Sequence, residues 1–382
     1  MKKILYLHAL PHDDVGGIEE KILSMAAYLA ENRIMIPVLA TNEIRYGFAE
    51  RFRNLGLKVY EVPFYKSMFE RRAALEIEKI VEREEITLLQ SHMFRESVAG
   101  RWVRARNPNV RHIYRVHIHF EIPYLAKCKW KRWLYYRLES LSSGNVDRYV
   151  TISDLVRNNL IKHTAIPEDR IEVVHNGILP MGDCDPPNVS NNPLSAKAVI
   201  IARYEEGKQQ MFAIEFVDKL RKEGIDMELH LVGGDGPDIK YKSNVQILAR
   251  KLGMDDLVHF YGYCSHDEIL NIVRNIPVVM LPSLSEGMPT SILEGMSLRK
   301  LVMVSDGAGA TCELVRHNVN GLLLNPRDKE QWVQQLKDVF TTPARIWEPI
   351  RNAGYETWKK HYSLEAMMEG MMNVYRSMDL LS

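Results

Sequence analysis

Short apolar runs rich in β-branched residues alternate along this chain with longer segments in which apolar residues recur at helical spacing. This alternation predicts an α/β fold built on parallel sheets. The predicted strands of the first half are Ile4–His8, Met35–Ala40, Lys58–Val62, Leu88–Gln90, Arg111–Val116, Arg148–Ile152 and Ile171–Val174. Those of the second half are Ala198–Ile201, Glu228–Val232, Val258–Tyr261, Val278–Leu281, Val302–Ser305 and Gly321–Leu324.

Residues 179–196 interrupt the alternation with four prolines and three asparagines and without periodicity, which is typical of a linker. The sequence therefore predicts a first α/β domain over 1–178, a linker over 179–196 and a second α/β domain over 197–360. Residues 361–382 are predicted as a methionine-rich terminal helix. Two such domains imply an intervening cleft, where ligands commonly bind.

Charge divides unevenly between the two halves, although the formal net charge of the 382 residues is only +1. The first 178 residues hold 28 Lys and Arg against 22 Asp and Glu, and the remainder holds 22 against 27. Such asymmetry indicates that the two halves meet different partners. The four cysteines are widely separated, which fits a reducing compartment.

The first residues, Met1–His8, resemble a signal peptide only superficially, because the apolar run is short and contains a histidine. No stretch of 18 or more apolar residues occurs, so the sequence predicts no transmembrane helix. We expect a cytoplasmic protein, with peripheral contact to the inner face of the cytoplasmic membrane as an open alternative.

Two glycine-containing loops follow predicted strands. Gly16 and Gly17 precede a helix, where backbone N–H groups can approach an anionic ligand, although taken alone they are better explained by a simple turn. The loop 233–237 lacks the third glycine of a dinucleotide site, and a tight turn is at least as good an explanation. Arg203 and Lys208, five residues apart after a strand, offer the bidentate fork and the point charge that suit a diphosphate.

The segment 282–294 is the most informative one. Its loop carries Glu286, and Glu294 lies within the helix that follows. The N–H groups of Gly287, Met288 and Thr290 can meet phosphate oxygens at the start of this helix. Carboxylates would repel a phosphate unless they bind the hydroxyl groups of attached sugars, so the segment favours a ligand that carries both phosphates and sugars.

With these residues in place, the chain resembles glycosyltransferase family 4, the retaining enzymes of the GT-B fold. The Glu286…Glu294 pair matches the E-x7-E motif of that family, Arg203 and Lys208 match its phosphate-binding pair, and Gly16-Gly17 match its first-loop glycines. The resemblance implies two Rossmann-like domains facing each other across a cleft, with a C-terminal helix that crosses back to the first domain.

The resemblance also implies roles. Arg203, Lys208, Glu286 and His117 would be the catalytic residues, and His92 and His119 would lie on the acceptor side, with His119 an alternative to His117 by spacing. The donor-binding residues would be Gly16, Gly17, Arg203, Lys208, Glu286, Gly287, Met288, Pro289, Thr290 and Glu294. Ala202 and Gln209 stand where the family often has glycine, and residues 298–301 replace its usual turn, which puts local loop shape in doubt.

The implied activity is transfer of a sugar, with retention, from a UDP- or GDP-sugar to a hydroxyl acceptor such as a glycan or a lipid-linked intermediate of cell-surface polysaccharide synthesis. No metal and no cofactor are expected, and the leaving phosphate would help to deprotonate the acceptor. A nucleotide-sugar epimerase and a non-enzymatic nucleotide-sugar-binding protein remain alternatives. A nicotinamide dehydrogenase is disfavoured, because the sequence has no G-x-G-x-x-G motif. A metal-dependent transferase of the other major fold would need a D-x-D motif after a strand, and the only such triplet, Asp183-Cys184-Asp185, lies in the linker.

Basic and aromatic residues interleave over 127–137, with Lys, Arg, Trp and Tyr side chains. A surface helix with snorkelling basic side chains accounts for this pattern, and docking onto an anionic membrane surface is the second reading. Nucleic-acid binding is disfavoured, because no recognition motif accompanies the stretch. The basic first half is therefore expected to receive an anionic or membrane-borne acceptor.

Overall fold

The structure is a computed structural model, and it describes residues 1–9, 17–42, 47–66, 70–117, 129–182, 190–236 and 238–381. These residues form two compact units. Met1–Gly177 and Leu364–Ser382 belong to the first, and Ile178–Ser363 form the second.

The first unit contains a seven-stranded sheet in which every pairing is parallel. Its strands are β1 (Lys3–Leu7), β2 (Ile36–Thr41), β3 (Lys58–Glu61), β4 (Leu88–Ser91), β5 (Arg111–Val116), β6 (Arg148–Thr151) and β7 (Ile171–Val173). The strand order is β3-β2-β1-β4-β5-β6-β7, which contains the order of a Rossmann fold. The apolar runs predicted these strands because a parallel sheet covered on both faces buries consecutive side chains.

Helices of the first unit connect these strands. They are α1 (Gly17–Glu31), α2 (Phe48–Asn54), α3 (Arg71–Glu84), α4 (Phe94–Arg106), α5 (Lys129–Ser142) and α6 (Asp154–His163). Ser153 caps α6 as its sequence position predicts, because its hydroxyl accepts a hydrogen bond from the Val156 N–H at 3.3 Å.

The second unit repeats the same arrangement with six parallel strands in the order β10-β9-β8-β11-β12-β13. They are β8 (Lys197–Ile201), β9 (Glu228–Val232), β10 (Val258–Phe260), β11 (Val278–Leu281), β12 (Leu301–Ser305) and β13 (Leu322–Leu324). The helices are α7 (Gln210–Lys222), α8 (Ile239–Lys251), α9 (His266–Val273), α10 (Thr290–Ser297), α11 (Thr311–Leu314), α12 (Lys329–Thr341) and α13 (Glu348–His361). Its core centres on fully buried side chains such as Phe216, Trp332 and Met280.

The last helix, α14 (Leu364–Ser377), belongs to the first unit. Met367, Met368 and Met371 are buried in a core that also holds Ile4, from β1, and other residues of the first sheet. The expected return of a terminal helix to the first domain is confirmed, and its methionines pack as a flexible apolar filling.

In sheets of this order, ligands bind beyond the carboxyl ends of the strands where the order reverses. That reversal lies between β1 and β4 in the first unit and between β8 and β11 in the second. The loops after these strands are therefore where a site is expected in each unit.

Candidate active site

The loops after β8 and β11 bring three of the predicted site residues to one edge of the second sheet. Arg203 and Lys208 follow β8, and Glu286 follows β11, its neighbour. The Leu284 N–H donates to the carbonyl oxygen of Gly207 at 2.8 Å, which ties the two loops together. Sheet order thus joins two motifs that are far apart in sequence.

Lys208 and Glu286 form an ion pair, with 2.7 Å between Nζ and Oε1. The side chains are 21% and 9% exposed, so the pair is screened less by water than a surface pair would be. The Glu286 N–H donates to Ala308 O at 3.2 Å, and Glu286 O accepts from the Ala310 N–H at 3.0 Å. The carboxylate therefore stands on a fixed backbone and holds the ammonium group in place.

Arg203 lies at the same edge but is far more accessible. Its side chain is 62% exposed and pairs with Glu205 at 3.2 Å, while its carbonyl oxygen accepts from Gln210 Nε2 at 2.9 Å. The backbone is thus anchored and the guanidinium group is left near solvent, where it can turn towards an anionic ligand.

Gln209 explains why glycine is common at this position in the resembling family. Its backbone is left-handed, with φ of 55°, a conformation that glycine adopts at least cost. Its Nε2 donates to Pro282 O at 2.6 Å and to Pro326 O at 3.2 Å. The loop thus contains a left-handed residue at this position, and the glutamine side chain adds contacts that hold the loop.

The segment 287–290 leads into α10, whose first residue is Thr290, with Pro289 at the N-cap. In the described part of the chain, the N–H groups of Gly287, Met288 and Thr290 make no backbone–backbone hydrogen bond. Glu294 is half-buried in the second turn of the helix. The N-terminus of α10 therefore presents N–H donors beside the Lys208–Glu286 pair, an arrangement that suits phosphate oxygens.

The loop 233–236 is explained by packing. A Cβ added to Gly233 would lie 2.1 Å from Ala202 O, and one on Gly236 would lie 2.4 Å from Tyr204 O. The Tyr204 N–H also donates to Gly234 O at 3.0 Å. These glycines let the loops after β8 and β9 touch, which supports the structural interpretation of this loop; Pro237 lies outside the described residues.

In the first unit, three histidines follow three adjacent strands: His8 after β1, His92 after β4 and His117 after β5. His92 Nδ1 lies 3.0 Å from His117 Nε2, and the two rings are stacked with centroids 5.2 Å apart. His8 Nε2 lies 2.6 Å from Glu19 Oε1 on α1. His92 and His117, predicted separately, are therefore direct neighbours.

Burial lowers the pKa of both His92 and His117 well below the ordinary value, and the nearby Arg115 charge lowers each further. Arg115 is itself buried, and its guanidinium donates to neutral acceptors, including Asn176 Oδ1 at 3.1 Å and Met367 Sδ at 3.3 Å. Burial lowers the Arg115 pKa to about 10. Both imidazoles are therefore neutral near pH 7.

Sequence reasoning missed His8, Glu19, Gln90 and Arg115 in this region. His8 could have been found, because it ends the predicted strand Ile4–His8, and His92 and His117 also lie at or just after the end of a predicted strand. Gly17 is exposed at the start of α1. Gly16, His119 and the Asp183-Cys184-Asp185 triplet lie outside the described residues.

A metal-compatible cluster occurs elsewhere in the second unit. Glu228, His230 and His259 place ligand atoms within 4.8 Å of one another on β9 and β10. Glu228 opens β9, at the opposite edge of the sheet from the strand ends described above, and is ion-paired with Lys197 at 2.9 Å. The cluster therefore lies apart from the candidate site.

Comparison with known proteins identifies the class: this is a glycosyltransferase with the GT-B fold. Residues 15–180 match the family described as Glycosyltransferase Family 4, and residues 188–356 match the glycosyl transferases group 1. The chain belongs to glycosyltransferase family 4, as the sequence motifs indicated.

Similar proteins come from several kingdoms. The phosphatidylinositol N-acetylglucosaminyltransferase GPI3 subunit of Saccharomyces cerevisiae is 21% identical over 97% of this chain and 80% of its own length. The putative glycosyltransferase EpsD of Bacillus subtilis is 25% identical over 83% and 84%. The crystal structure of Anabaena HepE, a complex with UDP and glucose, superposes with a TM-score of 0.81 at 16% identity over 99% and 100% of the two chains. Among the described residues, no helix is long and apolar enough to cross a membrane.

Proposed function

We propose that this glycosyltransferase moves a sugar from a UDP- or GDP-sugar to a hydroxyl group, with retention at the anomeric carbon and without a catalytic metal or cofactor. The observation that carries the proposal is the Lys208–Glu286 ion pair beside the N-terminus of α10. It combines a fixed cation, N–H donors and a carboxylate, which together fit a ligand that bears phosphates and sugar hydroxyls.

In this proposal the diphosphate lies between the two cations and the start of α10. Lys208 supplies a point charge, and Arg203, already near solvent, supplies a bidentate fork. The N–H groups of Gly287, Met288 and Thr290 complete the phosphate site of the second unit, and Pro289 sets the turn that presents them. Glu286 accepts hydrogen bonds from donor-sugar hydroxyls, and Glu294 accepts them from the ribose.

The chemistry places positive charge on the sugar ring and negative charge on the departing diphosphate in the transition state. Lys208 and the α10 N–H groups stabilise the departing charge with little reorganisation, because they are already held in place, and Arg203 turns in from solvent to add a second cation. The leaving phosphate takes the proton of the incoming hydroxyl on the same face of the sugar, so no protein residue is assigned as base. The neutral His117 ring hydrogen-bonds the sugar, with His92 behind it on the acceptor side.

The structurally similar Anabaena protein HepE was crystallised with UDP and glucose. Because the two proteins share the fold, that complex supports a nucleotide sugar as the donor. The name of the yeast relative refers to phosphatidylinositol, which supports a lipid-borne acceptor. We therefore propose a glycan or lipid-linked acceptor of cell-surface polysaccharide synthesis, reached from the cytoplasmic face of the membrane.

Two helices of the first unit support contact with an anionic membrane surface. Helices α4 and α5 together contain eight Lys and Arg against two Glu, which equals the whole basic excess of the first 178 residues. Between them lies a cavity of about 700 Å³ lined by apolar side chains such as Phe94, Val98, Trp102, Leu138 and Leu141. Trp102, Leu141 and Arg137 are exposed, so this face offers apolar surface and a cation to a lipid chain and its headgroup.

A thermal-shift screen of UDP-, GDP- and ADP-sugars tests the donor site. We expect one nucleotide to stabilise the protein, and Lys208→Ala or Glu286→Ala to lower turnover by about 100-fold. Lys337→Ala is the matched control, because it removes an ion pair, 3.1 Å to Glu223, near the C-terminal ends of α12 and α7. Near-normal turnover in either site variant would refute the assignment.

Product analysis separates the remaining possibilities. Retention predicts that the anomeric configuration of the donor is kept in the product, which NMR reads directly. A new sugar epimer formed without acceptor would indicate an epimerase, and binding without turnover would indicate a non-enzymatic binder. Chelators should not inhibit; full loss of activity with rescue by Mg²⁺ would contradict the metal-free mechanism.

Vesicle binding tests the membrane contact. We expect the protein to bind vesicles that contain anionic lipid and to be released by high salt, because exposed charges are screened within about 8 Å at physiological ionic strength. Arg137→Glu in α5 should weaken binding, whereas Arg157→Glu, on α6, should not. Equal binding to neutral vesicles, unaffected by salt, would contradict electrostatic docking.

A further inference from the structure

We propose that Gln90, His92 and Tyr375 form a hydrogen-bond relay that fixes the tautomer and the orientation of His117. The proposal deepens the proposed function, on which it rests for the position of His117 at the catalytic centre. The three are positioning residues: Gln90 lies on β4, His92 directly follows that strand, and Tyr375 lies in the last turn of α14.

The relay consists of three consecutive contacts within the first unit. The Tyr375 hydroxyl donates to Gln90 Oε1 at 3.0 Å. Gln90 Nε2 lies 3.1 Å from His92 Nε2, and His92 Nδ1 lies 3.0 Å from His117 Nε2. Gln90, His92 and Tyr375 are fully buried and His117 is 8% exposed, so water does not compete for these bonds.

The direction of each bond follows from the chemistry of the groups. An amide nitrogen only donates, so His92 Nε2 accepts from Gln90 and the single proton of a neutral His92 sits on Nδ1. That proton is donated to His117 Nε2, which must accept it. A neutral His117 then carries its own proton on Nδ1. In this structure the Tyr375 hydroxyl donates to Oε1 of Gln90, which leaves the amide nitrogen directed towards His92.

The surrounding charges keep both rings neutral, which the relay requires. Burial is the main cause that lowers the pKa of both histidines, and the charge of Arg115, on β5, acts in the same direction. Among the residues that the structure describes, His8, which is paired with Glu19 of α1, and Tyr6 on β1 also face these rings. A second proton on either ring would thus face burial and a buried guanidinium.

The consequence is a defined role for His117 as a neutral hydrogen-bond donor through Nδ1. Its Nε2 is occupied by His92, so that atom is not available to accept a proton from an incoming hydroxyl. This fits a mechanism in which the leaving phosphate, and no histidine, takes the acceptor proton. It also gives the C-terminal helix a part in the site, through one hydroxyl group.

Nitrogen-15 NMR of histidine-labelled protein tests the relay directly, with His92→Gln and His117→Gln used to assign the signals. We expect both rings to be neutral with the proton on Nδ1. Gln90→Glu should reverse the relay, because a carboxylate only accepts: His92 then donates through Nε2, and His117 must donate to His92 through its own Nε2. Tyr375→Phe should give a mixture of tautomers, because the amide is free to turn.

The activity readout is release of nucleotide from UDP-glucose or GDP-mannose, whichever probe stabilises the protein. Gln90→Glu and Tyr375→Phe should lower kcat by about tenfold, the effect of one hydrogen bond, with nucleotide binding unchanged. Tyr136→Phe is the matched control, because it removes a buried hydroxyl that donates to the Asn159 amide oxygen at 3.1 Å. It should change neither the tautomers nor kcat.

The relay and the proposed place of His117 in catalysis can be refuted separately. The relay would be refuted, whatever the activity, by a proton on Nε2 of His117 in the unaltered protein. It would also be refuted if Gln90→Glu left the tautomers of His92 and His117 unchanged. If the tautomers follow the relay but His117→Ala retains full turnover, the relay stands and the proposed place of His117 in catalysis is wrong.

Discussion

Gly309 is the position at which one added methyl group would disturb the candidate donor site most directly. Its φ is +67°, and a Cβ built there would lie 2.1 Å from the carbonyl oxygen of Glu286. Since real Cβ atoms essentially never approach closer than 3.0 Å, Gly309→Ala requires the Glu286 backbone to move by about 1 Å. A misplacement of about 1 Å can lower turnover by about 100-fold.

Gly307→Ala provides the matched control for this prediction. Gly307 has a similar φ of +73°, but a Cβ there would have no neighbour within 4 Å. Both variants should therefore lose about 1 kcal/mol of stability from the left-handed backbone alone. Chemical denaturation and donor turnover are to be measured on both. Normal turnover in Gly309→Ala, at a stability equal to that of Gly307→Ala, would refute the inference that the contact positions Glu286.

Two further predictions concern acid stability and the loop after β8. His112 is buried, and burial is the main cause that lowers its pKa to about 3. As the pH falls, the unfolded chain therefore binds a proton at this histidine before the folded protein does, and the free energy of unfolding should fall between about pH 6.5 and pH 3 by up to about 1.4 kcal/mol per pH unit. His112→Gln should flatten that slope in denaturation measurements. Gln209→Gly relieves the strain of a side chain on a left-handed backbone but loses two hydrogen bonds, so the free energy of unfolding should change little. Gln209→Ala keeps the strain and loses the same bonds, so it should lower the free energy of unfolding by about 1 to 2 kcal/mol. An alanine variant as stable as the glycine variant would contradict this.

The sequence predicts most strands but not every helix, for a physical reason. Parallel strands are buried on both faces and therefore appear as apolar runs. Helix α4 has no such signature, because its buried positions include Glu96, Ser97 and Arg101. These polar residues have partners from distant segments: Arg101 forms a buried ion pair with Glu139 on α5, and Glu96 Oε1 accepts from the Ala9 N–H at 3.0 Å. A local pattern cannot show a partner that the fold supplies.

The same limit applies to the site. Spacing and residue type single out Arg203, Lys208 and Glu286 as ligands of a nucleotide sugar, but not the pairing of Lys208 with Glu286. That pairing depends on β8 lying beside β11, which is a property of the sheet order. The contacts among His8, His92 and His117 are still harder to predict from sequence. These histidines follow three different strands, and their hydrogen bonds extend to a helix near the end of the chain.

Helix α14 joins the core of the first unit to its polar centre. Met367 is buried among apolar side chains, and its sulfur also accepts from the Arg115 guanidinium at 3.3 Å and from the Gly177 N–H at 3.2 Å. Tyr375, two turns further along the helix, is hydrogen-bonded to Gln90. The Arg115 charge adds to burial in lowering the pKa of His117, and Gln90 is linked to His117 by two hydrogen bonds through His92. Met367, through Arg115, and Tyr375, through Gln90, therefore both affect that histidine. Because Met367 and Tyr375 also belong to the core, a substitution at either position should affect His117 as well as the packing.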